Sequence, residues 1–205
     1  MDDVLIENGS AKVAAGEWLM APVQPAAFRG QARASGQKGF FVRDRASVRI
    51  VKTDADAWCS SGDRPFLTRL AALPDEPLHL VSAKLLVAPI ASRVKAWNLK
   101  LIPMSLRRST VITDFKLGWV VAATKSRVNR VSIEEGETLS VRPESLVAWI
   151  GPNPTGFCPR LSIWDIIFPR GPKNMSFTFH GPATVWFEGS QSLRLRAPHP
   201  LTPVP

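Results

Sequence analysis

Along most of the chain, apolar residues recur with period two in short runs, and glycine, proline and polar clusters separate the runs. That pattern predicts strands rather than long helices. Thr138, Ser140 and Arg142 alternate with Leu139 and Val141, and Ser176, Thr178 and His180 alternate with Phe177 and Phe179. Each segment therefore offers one face to a core and the other to water. Further runs of strand length are Leu78 to Ala88, Val94 to Ile102, Thr110 to Phe115, Leu117 to Thr124 and Val128 to Ile133. Gly39 to Val51 is also β-like, with Val48 and Ile50 alternating against Ser47, Arg49 and Lys52. Leu146 to Ile150 is apolar on both faces and stands between Pro143 and Gly151, as a central strand of a sandwich would. Two segments differ. Residues 11–20 suit a short helix or a strand, and Phe66, Leu70 and Leu73 are spaced for one amphipathic helical stretch that Pro74 ends.

The expected architecture is mainly β: a β-sandwich of short antiparallel strands over 41–190, an irregular N-terminal arm or elaboration over 1–40, and a Pro-rich tail over 191–205. Composition agrees. The 205 residues suffice for one core without a disulfide or metal staple, and 18 Pro with 13 Gly mark many turns. No apolar run is long enough for a transmembrane helix. Met1 to Glu7 is acidic and follows neither a signal-peptide nor a transit-peptide plan, so a cytoplasmic or mitochondrial matrix protein is expected, not a secreted one. Cys59 and Cys158 are too few for a disulfide framework and lack metal-ligand spacing, which suits a reducing compartment.

The formal charge of +9 is concentrated in one stretch. Residues 1–83 and 131–205 each sum to zero. Between them lie Lys84, Arg93, Lys95, Lys100, Arg107, Arg108, Lys116, Lys125, Arg127 and Arg130, against Asp114 alone. A segment of this kind attracts an acidic protein surface, RNA or anionic lipid without specifying which, and it equally suits a solvated basic face.

Two stretches are specific: Glu135-Gly136-Glu137-Thr138-Leu139-Ser140-Val141-Arg142-Pro143-Glu144-Ser145-Leu146-Val147-Ala148-Trp149, and Phe177-Thr178-Phe179-His180-Gly181-Pro182-Ala183-Thr184-Val185-Trp186-Phe187-Glu188-Gly189. In this order they resemble the closing half of the altered inheritance of mitochondria protein twenty-four family, over roughly Leu117 to Ser190. Ala183 stands where that family commonly has a second glycine. The resemblance implies a β-sandwich of the tryptophan RNA-binding attenuation protein-like class and a bacterial or mitochondrial protein of unassigned activity. It brings no catalytic residues. By their chemistry Gly136 and the Gly181-Pro182 pair are turn residues, with glycine free to take positive φ. Trp149 and Trp186, each inside an apolar run, are expected to fill the gap between sheets.

Catalytic and metal sets are not visible. His79, His180 and His199 are far apart, and Gly36-Gln37-Lys38-Gly39 lacks the end of a phosphate-binding loop. Cys59 lies among Asp54, Asp56 and Asp63, a setting that raises a thiol pKa. The expectation is a non-enzymatic scaffold or assembly subunit acting through protein partners or as a homo-oligomer, with no cofactor and no metal. The alternative is RNA or ribonucleoprotein binding through 84–130, with Trp97 and Trp119 as stacking platforms. Against the alternative, a strand over this region puts Trp97 on the face of Leu99 and Leu101.

Overall fold

A computed structural model describes residues 4–20, 25–29, 32–33, 49–89, 94–100, 109–116, 118–157, 176–189 and 195–196. They form twenty strands, numbered here along the chain, in four antiparallel sheets. Sheet I has the order β1 (Leu5–Glu7), β2 (Ser10–Val13), β7 (Ala57–Ser61), β4 (Pro25–Arg29). Sheet II runs β5 (Ala32–Arg33), β6 (Arg49–Thr53), β3 (Gly16–Met20), β10 (Leu85–Pro89), β13 (Gly118–Thr124), β8 (Phe66–Ala72). Sheet III runs β11 (Val94–Lys100), β12 (Ser109–Phe115), β9 (Leu78–Val81), β16 (Leu146–Ile150), β19 (Ala183–Glu188), β14 (Val128–Ile133). Sheet IV runs β17 (Thr155–Phe157), β18 (Ser176–His180), β15 (Thr138–Val141), β20 (Leu195–Arg196).

Three apolar clusters stack these sheets into four layers. Val13, Ala57 and Cys59 of sheet I meet Trp18, Val87, Trp119 and Val121 of sheet II. Leu70, Leu85, Val120 and Ala122 of sheet II meet Leu78, Leu80, Phe115 and Val147 of sheet III. Ile112, Trp149, Val185 and Phe187 of sheet III meet Leu139, Val141, Phe177 and Phe179 of sheet IV. Sheets II and III are thus covered on both faces, and their central strands have no polar side. This explains the unbroken apolar runs. All of β13 after Gly118 is buried, as are Leu85 to Ala88 and Leu146 to Trp149. The outer sheets keep strict alternation, as in β7, β15 and β18.

The mainly β, antiparallel character predicted from the sequence is present, and Leu146 to Ile150 is a central strand as expected. Three local expectations are corrected. Over 1–40, expected as an irregular arm or elaboration, the described residues are not irregular: 5–20, 25–29 and 32–33 supply five strands to sheets I and II. Phe66 to Ala72 is a strand paired along its full length with β13, not a helix; Leu70 and Ala72 are buried while Arg69 and Ala71 are exposed, which is period two. Leu78 to Ala88 is two strands parted by a one-turn 3₁₀ helix, Ser82–Lys84, that carries the chain from sheet III to sheet II. Residues 41–48 lie outside the described residues, and of the tail expected over 191–205 only Leu195–Arg196 is described, as β20 paired with β15.

A short pattern occurs twice: Val81 followed at the same spacing by Leu86-Val87-Ala88, and Val141 by Leu146-Val147-Ala148. Each copy ends in a central strand of a six-stranded sheet, entered through a short turn and carrying a β-bulge near its start. The bulge in β16 breaks strict alternation. Val147 and Ala148 both face sheet II while Leu146 and Trp149 face sheet IV.

Gly136 takes a positive φ of 83° in the turn where the Glu137 amide donates to the Glu134 carbonyl. Gly181 is glycine for another reason: it lacks a positive φ, and an added Cβ would sit 1.8 Å from the Glu134 carbonyl oxygen. Backbone cannot yield as a flexible side chain would. Gly181→Ala is therefore expected to lose about 3 kcal/mol of stability in urea denaturation, the scale of severe overpacking, with an unchanged m-value.

Candidate interaction surfaces

Among the described residues, the basic segment is divided between two edges of sheet III. Lys95 and Lys100 lie on β11, at one edge of sheet III, whereas Arg127 and Arg130 lie at β14, the opposite edge. Five strand spacings separate these edges, about 24 Å. Lys116 is exposed just after β12. Arg93, Arg107 and Arg108 are outside the described residues.

Lys84, expected as a contact for an anionic partner, is engaged within the chain. Its ammonium is paired with the Glu188 carboxylate, and both side chains are only 12% exposed. The other carboxylate oxygen accepts the Lys125 backbone N–H at 2.9 Å. Lys84 ends the β9–β10 crossover and Lys125 begins the β13–β14 crossover, so one carboxylate at the end of β19 ties together two passages between sheets II and III. Taking such a pair out of water is costly, and removing one partner leaves an uncompensated charge.

The Lys125 side chain, Arg127 and Arg130 remain exposed. The Arg130 guanidinium lies over the Trp186 ring, 5.7 Å from its centre, where cation–π attraction holds it. Trp186 is half-buried at the margin of the sheet II–III core, so it fills the gap between sheets only in part. Trp149 is fully buried between sheets III and IV, as expected. Trp119 is 6% exposed and packs on Trp18 with ring centres 5.4 Å apart; it cannot stack on a base. Trp97 occupies the register position opposite Ile112. Gly181 and Pro182 form the bend between β18 and β19.

A histidine–carboxylate pair was not singled out by the sequence. His79 Nδ1 lies 2.7 Å from Asp114 Oδ1, and the ring stacks on Trp149 at 4.9 Å between centres. Register explains it: Asp114 pairs with His79 across β12–β9, and His79 with Trp149 across β9–β16. The carboxylate fixes the orientation of the imidazole. Only the isolated run Leu78-His79-Leu80 hinted at this, since a histidine inside an apolar strand needs a polar neighbour. No group of three or more His, Cys, Asp or Glu side chains able to hold a metal occurs among the described residues. Cys59 is fully buried, and burial, rather than nearby aspartates, pushes its thiol from 9.0 up to about 12.

The large apolar side chains that are exposed among the described residues lie at sheet edges. Leu5, 48% exposed, is on β1; Phe66, 39% exposed, and Leu73, 56% exposed, stand at the two ends of β8. Both are terminal strands in their sheets. Open edges with apolar side chains are templates for pairing with another chain.

No family model and no curated protein matches this chain. Among solved structures it is similar to the crystal structure of protein SPYM3_0169 from Streptococcus pyogenes, at 11% identity and a TM-score of 0.67, with 92% of each chain covered. At that identity the likeness shows a shared fold.

Glu188→Gln or Lys84→Met is expected to cost about 3 kcal/mol in equilibrium unfolding, whereas Lys125→Ala and Arg127→Ala stay within about 0.5 kcal/mol. The Lys125 substitution keeps the backbone donor that Glu188 uses. The Cys59 thiol gives a pH signature. An unfolded chain loses that proton near 9.0 and the folded chain keeps it to about 12, so stability falls as pH rises between these values. In a Cys158→Ser background this fall should be steeper by about 1.4 kcal/mol per pH unit than in the same chain with Cys59→Ala.

Proposed function

We propose that the chain is a non-enzymatic β-rich scaffold or assembly subunit, working through protein–protein contacts in the cytoplasm or the mitochondrial matrix. In support of this reading, the Glu135 to Trp149 and Phe177 to Gly189 motifs resemble those of the altered inheritance of mitochondria protein twenty-four family, whose activity is unassigned. The observation that carries this reading is the placement of exposed apolar side chains: Phe66 and Leu73 bracket the seven-residue edge strand β8, and Leu5 sits on the edge strand β1. Among the described residues no strand pairs with the outer side of β8, and an edge strand of that length with apolar anchors has the two elements of strand addition. RNA binding is the second reading. The cations at β14 favour it, and the division of the basic segment between opposite edges of sheet III weighs against it.

A photo-crosslinking residue at position 66 or 73 tests the first reading. In extract it should give a discrete protein adduct, and Phe66→Lys with Leu73→Lys should prevent the association while leaving stability within about 0.5 kcal/mol. A chain that forms no adduct at these positions, and that binds single-stranded RNA with a steep salt dependence, would replace this reading with the second.

A further inference from the structure

The edge of sheet III at β14 carries opposite charges at its two ends. Arg127 and Arg130 are exposed toward its start; Glu134 and Glu135 are exposed just past its finish. Among the described residues no strand pairs with β14 on its outer side. Val131, half-buried, lies between the charged ends.

We infer that β14 is a homodimer edge, where a second copy of this chain adds its own β14 antiparallel across a two-fold axis. The charge order selects this partner. An antiparallel copy brings the basic end of one strand beside the acidic end of the other, twice by symmetry, whereas a parallel copy would set like charges side by side. Centring the pair on Val131 places Val131 opposite its symmetry mate and Arg130 opposite Ser132 of the second copy. The same register sets Arg127 opposite Glu135, with Glu134 diagonal to Arg130 and within reach of its long side chain. Directly opposed residues share a face in this register, as an antiparallel ladder requires. Centring one residue earlier would oppose Arg130 to Arg130, which like-charge repulsion disfavours. Pairing would extend sheet III from six strands to twelve and cover Val131. This inference rests on the assembly reading and names its surface and its partner.

Charge swapping tests it on the full chain. Arg127→Glu with Arg130→Glu makes the edge wholly acidic, and Glu134→Arg with Glu135→Arg makes it wholly basic. Light scattering and sedimentation at high micromolar concentration and low salt should show a wild-type dimer, with each double variant weakened about tenfold or more. An equimolar mixture of the two variants should recover the dimer, because every opposed pair becomes complementary again. Added salt should weaken the wild-type dimer and the mixed dimer alike. Circular dichroism and thermal unfolding establish that each variant is folded, and misfolding cannot produce recovery on mixing. A monomeric wild type under these conditions overturns the inference, and so does a mixture of folded variants that stays monomeric. So does a dimer indifferent to the charge changes while RNA binding is lost, which would make β14 a nucleic-acid contact. If β14 fails but positions 66 or 73 still cross-link to another protein, the assembly reading stands without this edge.

Discussion

The fold depends on two sheets having no wet face. Sheets II and III each lie between two neighbours, so every side chain in their central strands must be apolar or find a polar partner inside the protein. The buried polar residues obey this. Thr53 bonds to the Ala14 and Gly16 backbone and to Trp18, Ser82 meets Thr113 at 2.6 Å, and Thr124 donates to the Ser126 carbonyl. The same constraint leaves polar surface and unpaired backbone to the outer faces, the edges and the crossovers. Among the described residues, charge is therefore found in quantity only there.

The crossovers give the arrangement its cohesion. From β8 to β14 the chain alternates between sheets II and III five times, so neither sandwich is built from a continuous half of the sequence. Glu188 sits where two of these passages come together, its carboxylate accepting from the Lys84 ammonium in one and from the Lys125 backbone N–H in the other. A basic residue counted in the sequence as part of an attractive field is thus neutralised locally. What remains at that edge is a smaller cationic group, with Arg130 over the Trp186 ring and an acidic group a few residues further on.

Much of the layering was legible, and the reasons are particular. Leu146 to Ile150 announced a two-sided environment because no polar residue interrupts it, and Phe177 and Phe179 announced a one-sided one. Phe66 to Ala72 misled because Phe66 and Leu70, four apart, satisfy a helix and a strand equally; only pairing with β13 decides. Residues 5–7 do not read as a strand because β1 is only three residues long and pairs with β2 alone, and 11–13 stay between helix and strand because the other partner of β2 is β7, some fifty positions away. The candidate surface was less legible still. Among the described residues, Lys95 and Lys100 are parted from Arg127 and Arg130 once β11 and β14 become opposite edges, and the partner of Lys84 lies 104 residues away. The His79–Asp114 pair arises from register between strands, which no local spacing encodes.

The repeated passage between the two central sheets also sets an order of events during synthesis. β10 is flanked by β3, made long before it, and by β13, made after it, with a visit to sheet III between. A nascent chain that has emerged as far as β12 therefore holds an apolar β10 whose second neighbour does not yet exist. Sheet III in turn waits for β16 and β19 near the end of the chain. Long-range pairing of this kind is slow, because loop entropy must be lost before contacts compensate. Fully apolar strands thus emerge before both of their neighbours exist, β10 until β13 is made and β16 until β19 is made, and those two intervals are when the protein is most in need of shelter from its neighbours.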